Sequence, residues 1–111
     1  MTLTELLQLP ELQITALTGP FPRTIERGYA SDLLSDVLCN APPGSLWVTL
    51  QTNRNVAAVA SLQELGGVLI TNGRQPQEDL LDLARDEQIT ILSTPLSTYE
   101  VVGRLFQLGI R

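Results

Sequence analysis

The sequence contains no histidine, no lysine and only one cysteine, Cys39. Without histidine and lysine, the chain cannot form a Ser–His or Cys–His nucleophile pair, a Schiff base or a lysine-containing phosphate loop, and zinc loses its commonest nitrogen ligand. A lone cysteine excludes an intrachain disulfide, and no basic neighbour favours its thiolate. We therefore expect no enzymatic activity, no metal and no cofactor. The single thiol and an N-terminal segment without a basic region indicate a cytoplasmic protein.

Positive charge is also scarce. Seven arginines stand against twelve acidic residues, which gives a net charge of -5. Such a chain repels phosphate backbones and anionic lipids, and no apolar run approaches the roughly 18 residues of a membrane span. The sequence therefore predicts neither a nucleic-acid partner nor a membrane. With 111 residues, of which 43% are hydrophobic, a single globular domain over residues 1–111 is expected.

From Ser45 onward, three short apolar runs each precede a helical pattern. The runs begin near Leu46, Val68 and Thr90, and they lack the strict alternation of a half-exposed strand. Strands of this kind are typical of a parallel sheet that is covered on both faces. The sequence thus predicts an α/β fold, a mostly parallel sheet flanked by helices, with three consecutive βα units in the C-terminal two-thirds of the chain.

The periodicity also predicts details of the helices. Gly66 and Gly67 are expected to stop the first of these three helices. In the last helix we expect Val102, Leu105 and Phe106 to face the core. We expect Tyr99, and Trp47 of the first apolar run, to be core or half-buried aromatics.

The first 44 residues are less regular. We expect a helix over residues 2–9 that ends at Pro10, a strand over residues 12–17, and a short strand or extended segment near Tyr29. Ser31 is expected to cap a helix over residues 32–39. The inward positions of that helix would be Leu33, Leu34, Val37 and Leu38.

Two acidic side chains of this region, Asp32 and Asp36, are one helical turn apart. A divalent cation could bind between them, but a capping pair or a solvated face is the favoured interpretation, because no third ligand is evident.

The loops that follow the three strands are rich in small polar residues and contain two arginines. The carboxyl ends of parallel strands meet at one edge of a sheet, where ligands commonly bind. This placement predicts a ligand-binding edge with eight residues: Thr52, Asn53, Arg54, Thr71, Asn72, Gly73, Arg74 and Thr98.

The two arginines favour an anionic ligand over simple helix capping. Capping by Asn55 and by Ser97 or Thr98 explains polar loops without any ligand. Arg54 and Arg74, however, precede predicted helix N-termini, where a cation is disfavoured by about 0.3–1 kcal/mol unless an anion lies nearby. Gly73 would let a ligand approach the backbone closely.

Four stretches carry a family resemblance: GYASDLLSDVL, VTLQTNRNVAAVASL, GVLITNGRQP and LSTYEVVGRL. Together they resemble a DRTGG domain over nearly the whole chain, most specifically over residues 28–108. The literal DRTGG string is missing, and its nearest equivalents are Asn53-Arg54 and Thr71-Asn72-Gly73. DRTGG domains occur alone or attached to bacterial proteins, including phosphate acetyltransferases and CBS-domain pyrophosphatases.

The resemblance implies an α/β regulatory or interaction module, often dimeric, with a fold like the N-terminal domain of HPr kinase/phosphorylase. Kinase activity does not carry over, since that activity belongs to a separate phosphate-loop domain and this chain has no GK[ST] motif.

Two functional hypotheses follow. In the first, the chain is a non-catalytic regulatory subunit that binds a small anionic ligand such as a nucleotide, or a partner protein. In the second, it is a structural dimerisation or assembly domain without a small-molecule ligand. A homodimer is expected in either case, because a chain of this size buries only about 60–70% of its unfolded surface and gains from pairing free sheet edges or helix faces.

Overall fold

The computed structural model describes all 111 residues and contains five helices and five strands. The helices are α1 (Leu3–Leu7), α2 (Leu34–Asn40), α3 (Asn55–Leu62), α4 (Glu78–Asp86) and α5 (Thr98–Gln107). The strands are β1 (Thr15–Ala16), β2 (Gly28–Ala30), β3 (Leu46–Thr49), β4 (Gly67–Ile70) and β5 (Ile91–Ser93). A short 3₁₀ turn, Pro10–Leu12, follows α1. None of the helices combines the length and the apolar character that crossing a bilayer requires.

All five strands form one sheet in the order β1-β5-β4-β3-β2. Strands β2 to β5 run parallel, with Leu46 opposite Gly67 and Val68 opposite Ile91, while β1 pairs antiparallel with β5. The α/β class and the three parallel strands predicted from the sequence are therefore confirmed. The loops after β3, β4 and β5 leave from one end of the sheet, which we call the carboxyl edge.

Both faces of the sheet are covered. Helices α2, α3 and α4 pack on one face through side chains such as Val37, Val56 and Leu80. Helices α1 and α5 pack on the other through Leu3 and Val101. Every residue of β3 and β4 is consequently buried, which explains why these strands lack an alternating pattern.

Trp47 lies in the core, as predicted. Its side chain is completely buried, and its indole N–H donates to the Ser31 carbonyl at 2.8 Å. This bond ties β3 to the segment that enters α2, and it satisfies the one polar atom that the indole brings into the interior.

The segment before α2 departs from the prediction. The helix begins at Leu34 instead of residue 32, because the Asp32 carboxylate accepts hydrogen bonds from the end of β3 and is held outside the helix. The Ser31 hydroxyl accepts from the Leu33 N–H at 3.2 Å, which closes a turn before the helix and does not cap it. Leu33 and Leu38, which were expected to be buried, are 64% and 38% exposed.

The predicted strand over residues 12–17 is also shorter than expected. Residue Gln13 adopts a left-handed backbone with φ of 51°, directly after the 3₁₀ turn. The extended conformation therefore starts late, and only Thr15 and Ala16 pair with β5.

Two aromatic residues of α5 lie outside the core, contrary to the prediction. Tyr99 is 91% exposed and Phe106 is 51% exposed, while Val101 and Leu105 are buried. Helix α5 packs on β2 and β3 at the end of the sheet, so the helix face beyond β2 has no strand beneath it.

The end of α3 also differs from the prediction. The helix ends at Leu62, and the left-handed position that follows is Glu64, with φ of 55°, not either glycine. Gly67 already belongs to β4.

Candidate functional site

The carboxyl edge brings together the three loops that the sequence singled out. The Gln77 N–H donates to the Thr52 carbonyl at 2.9 Å, which joins the loops after β4 and β3. The Gly73 N–H donates to the Thr94 carbonyl at 3.0 Å, which joins the loops after β4 and β5. Backbone bonds between loops fix their relative positions, so the edge is a preformed surface.

A side-chain bond reinforces this arrangement. The hydroxyls of Thr71 and Thr98 lie 2.6 Å apart, so the end of β4 is bound to the first residue of α5. Thr71 is fully buried and Thr98 is half-buried. Both threonines therefore lie beneath the surface of the carboxyl edge. The Thr71 hydroxyl is already hydrogen-bonded within the chain.

The Thr71–Arg74 segment forms a tight turn at the centre of the edge. Asn72 and Gly73 both have left-handed backbones, with φ of 60° and 65°, and the Arg74 N–H donates to the Thr71 carbonyl at 3.2 Å. Positive φ at both central residues is typical of a type I′ turn, which strongly favours Asn-Gly. The backbone conformation of the turn thus explains Gly73, and the exposed Asn72 side chain is carried outward.

The two arginines of the edge differ in their relation to the helices. Arg54 occupies the N-cap position of α3, whereas Arg74 lies four residues before α4, whose N-cap is Gln77. The expectation that both stand directly before helix N-termini is therefore right only for Arg54. Both side chains are exposed, and neither is within 4.0 Å of a carboxylate, since the two ion pairs of the chain are Arg85–Asp82 and Arg104–Glu100.

The start of α3 has no side-chain cap, because its N-cap residue is Arg54 and the expected cap, Asn55, is already the first residue of the helix. The Asn53 side-chain oxygen accepts from the Asn55 N–H at 3.0 Å, and its amide donates to Gln51 at 3.0 Å. At α5 the expected cap is present, because the Ser97 hydroxyl accepts from the Glu100 N–H at 3.2 Å. A polar loop residue thus caps α5, whereas Asn53 closes a turn before α3.

The carboxyl edge is an open surface without a cleft. Four concave sites occur on the chain, and none is lined by any of the eight predicted residues. The largest, about 510 Å³, lies between the start of α1 and residues 20–24. A ligand at the carboxyl edge would therefore be held by side chains that reach out from the surface.

Asp32 is an edge residue whose role the sequence did not reveal. Its carboxylate accepts from the Thr49 hydroxyl at 2.9 Å and from the Leu50 N–H at 2.7 Å, and its carbonyl accepts from the Gln51 side chain at 2.8 Å. These bonds hold the loop after β2 against the end of β3. The chain contains no group of three or more acidic or cysteine residues placed to hold a metal ion.

Asp36 lies in a separate hydrogen-bonded cluster on α2. Its carboxylate accepts from the Asn40 amide at 2.8 Å and from the Tyr29 hydroxyl at 2.9 Å. Hydrogen bonds from Asn40, then from Ser31 and Tyr29, lower the pKa of Asp36, and the bond to Asp36 raises the pKa of Tyr29. Tyr29 and Asp36 thus form a link between β2 and α2.

This cluster gives a pH-dependent contribution to stability. Because the pKa of Asp36 is lower in the folded state, its contribution is present above the unfolded-state pKa and is lost as the pH falls through the folded-state pKa. Replacing Asn40 with alanine is expected to raise the pKa of Asp36 and to flatten the acid side of the stability curve. A carboxyl NMR titration measures the pKa directly. Ser35→Ala, at an exposed position of the same helix, should leave it unchanged. An unaltered pKa in Asn40→Ala would contradict the assignment.

The fold defines a small α/β domain whose parallel sheet is covered on both faces and whose polar loops meet at one edge. A family model, the DRTGG domain, matches residues 34–108. The chain therefore belongs to the DRTGG domain family, as its resemblance indicated. This membership identifies the domain family without naming a ligand.

A solved structure agrees with the family assignment. The regulatory region of Clostridium perfringens pyrophosphatase, which contains CBS and DRTGG domains and was crystallised with its activator diadenosine tetraphosphate, matches with a TM-score of 0.73. The match covers 98% of this chain and 47% of that chain, at 16% sequence identity. At this identity the likeness shows the fold. The chain spans about half the length of that regulatory region. No curated protein matches the sequence.

Proposed function

We propose that the chain is a non-catalytic regulatory domain that binds a small anionic ligand at its carboxyl edge, with a nucleotide as the leading class. The observation that carries the proposal is the pair of exposed arginines, Arg54 and Arg74, which lack a carboxylate partner and stand on loops fixed to one another. In a chain of net charge -5, two unpaired cations on one preformed surface favour an anion there.

Side chains, not helix amides, would hold the ligand. The first amides of α3 are already satisfied, since the N–H groups of Asn55, Val56 and Ala57 donate to Asn53 and Arg54 oxygens. The remaining donors are the guanidinium groups of Arg54 and Arg74, the Asn72 amide and the half-buried Thr52 hydroxyl. Guanidinium groups bind phosphate oxygens in a bidentate manner, which suits a phosphorylated ligand.

The DRTGG family and the solved clostridial structure support the proposal that this domain regulates a larger system by binding a nucleotide. The clostridial regulatory region carries a DRTGG domain, and its activator is a dinucleoside tetraphosphate. A polyphosphate of this kind offers several anionic groups to separated arginines. The absence of histidine and lysine supports a binding function in preference to catalysis.

Ligand binding should depend on the two arginines. In the parent protein, diadenosine tetraphosphate or ADP is expected to raise the melting temperature, because a ligand of the native state stabilises it. Arg54→Ala or Arg74→Ala should weaken binding by about 1.5–3 kcal/mol, or about 10- to 150-fold, while the melting temperature without ligand stays nearly constant. Thermal shift and calorimetric titration measure both quantities.

Arg85→Ala is the matched control, because Arg85 is an exposed arginine on α4 that pairs with Asp82. It should bind the nucleotide as the parent does. If the parent shows no shift with these nucleotides or with other phosphorylated metabolites, and the arginine variants lose stability without ligand, the edge is purely structural.

A second candidate function is assembly. We propose that the chain forms a homodimer, since four large apolar side chains are exposed on or beside α2 and α5, the two helices that contact β2 and its neighbours. A partner protein could bind the same domain without excluding the homodimer.

We place the module in the cytoplasm, because Cys39 is exposed and is the only thiol of the chain.

A further inference from the structure

Strand β2 leaves one edge of the sheet unpaired. It pairs only with β3, and the Leu46 N–H donates to the Arg27 carbonyl at 2.9 Å, so the backbone of Arg27 faces β3. Since the backbone groups of successive strand residues alternate in direction, the N–H and C=O groups of Gly28 and Ala30 face outward. These groups are free to pair with a further strand.

A small apolar groove follows this edge on the face of the sheet that α5 covers. Its volume is about 80 Å³, and its lining includes Val102 and Phe106 of α5. The groove extends past β2 to Val48 of β3, because the β2 residues on this face are Gly28 and Ala30, which are small. An added strand could therefore place apolar side chains beside β2 and beneath α5.

The packing within the chain does not require the glycine at position 28. A Cβ atom there would lie 3.6 Å from the Ile110 side chain, an ordinary contact, and Gly28 lacks the positive φ that favours glycine. Glycine inside a strand weakens it and often marks a place where a ligand or another backbone approaches closely. Gly28 thus keeps the groove open for an occupant from outside the chain.

The charges beside this edge favour an acidic occupant. Arg27 and Arg111 are exposed, and neither takes part in an ion pair within the chain. The Arg111 guanidinium lies 4.4 Å from the centre of the Phe106 ring, and the Arg111 N–H donates to the Glu26 carbonyl at 3.1 Å. Arg27 points to the opposite face of the sheet, because side chains alternate along a strand. One unpaired arginine therefore lies on each face at the start of β2, where a carboxylate of an added strand is complementary in charge.

We propose that this edge binds an extended segment of a partner protein, which joins the five-stranded sheet as a further strand antiparallel to β2. Residues that lie opposite one another in such a pair point to the same face. The partner residues opposite Ala30 and Gly28 are therefore apolar and enter the groove, and the next residue, opposite Arg27, is acidic. This site is separate from the anion site proposed at the carboxyl edge and uses neither Arg54 nor Arg74.

The groove distinguishes such a segment from a second copy of the chain. If two β2 strands paired antiparallel with Gly28 opposite Ala30, only these two small residues of the copy would reach the groove and would leave it unfilled. The same register places Ser31 opposite Arg27, so the arginine would meet a hydroxyl group instead of a carboxylate. The filling of the groove and the charge at its end both favour a partner segment of the stated pattern.

Titration with a synthetic peptide tests this site. The probe is acetyl-Ser-Thr-Val-Thr-Val-Glu-Ser-amide, whose valines would lie opposite Ala30 and Gly28. In NMR spectra of the parent, the amide signals of these two residues should move on titration, and their hydrogen exchange should slow. The same peptide with a methyl group on the backbone nitrogen of its second valine should bind about tenfold more weakly, because it lacks one donor and keeps every side chain.

Two variants separate the groove from the charge. Ala30→Ile fills the groove with a residue that favours strands, so it should keep the fold and weaken probe binding by about tenfold or more. Arg27→Gln should weaken binding of the probe several-fold but leave binding of a glutamine-for-glutamate probe unchanged. Thr15→Ile, on the opposite edge strand, and Arg85→Gln, on α4, are the matched controls and should bind the probe as the parent does.

A parent that does not bind the probe at about 1 mM would overturn this site. Probe binding that Ala30→Ile leaves unaltered would also overturn it, because the peptide would then lie elsewhere. A dimeric parent in which the Gly28 and Ala30 amides are protected from exchange without peptide would show that a second copy covers the edge, which contradicts the assignment to a partner segment.

Discussion

Replacing Gly66 with alanine is expected to lower the free energy of unfolding by about 3 kcal/mol or more. A Cβ atom at this position would lie 2.6 Å from the Gly44 carbonyl oxygen and would collide with the Ile25 side chain. Ile25 is completely buried, so moving its side chain disturbs the packed residues around it. The Gly66 N–H also donates to the Ser45 carbonyl at 2.8 Å, which holds the backbone in place. The added methyl group must therefore displace either the turn at Gly44 or the segment that begins at Gly66.

Gly67→Ala provides the comparison, because the nearest atom to its added Cβ would be 3.4 Å away, an ordinary contact. Urea denaturation of both variants measures the difference, with unchanged m-values showing that the same unfolding transition is observed. Equal losses of stability in the two variants would contradict the steric explanation.

Gly66 illustrates what a local pattern can predict and what it cannot. Its position after an apolar helical pattern correctly marked the boundary between α3 and β4, but the helix ends earlier, at Leu62. The requirement for glycine comes from Gly44 and Ile25, which are distant in sequence. Contacts of that kind depend on the complete fold.

The same distinction applies to α2 and α5. Helical spacing correctly predicted these helices and placed Val37 and Leu105 in the core. It was wrong for Leu38 and Phe106, because periodicity identifies a helix face without showing where the sheet beneath it ends. The sequence order of the strands leaves β2 at an edge, and this became visible only in the assembled sheet.

The candidate site was predictable to the extent that topology determines it. Parallel βα units bring the loops after β3, β4 and β5 to one edge, so the grouping of Thr52, Thr71 and Thr98 followed from the sequence. The distance from Arg74 to α4 depends on the tight turn at Asn72-Gly73, and the bonds of Asp32 depend on side-chain orientation. Neither has a local signal strong enough to predict it.

Replacing Thr18 with valine is expected to lower the free energy of unfolding by about 3 kcal/mol. The Thr18 hydroxyl donates to the Ile89 carbonyl at 2.7 Å and accepts from the Ile91 N–H at 2.8 Å. The residue is only 3% exposed, so water cannot replace these bonds. Valine has nearly the same shape and leaves no cavity, but both backbone groups lose their partner, and each unpaired buried group costs about 1–3 kcal/mol.

Thr15→Val is the control, because Thr15 is an exposed residue of β1, the strand that directly precedes the segment containing Thr18. Valine favours strands, so this variant should stay within about 0.5 kcal/mol of the parent. Thermal unfolding compares the two variants, and amide hydrogen exchange reports on the Ile91 N–H itself, which should exchange faster in Thr18→Val. If Thr18→Val matches Thr15→Val in stability and the Ile91 amide stays protected, the hydroxyl does not hold the chain after β1 to β5.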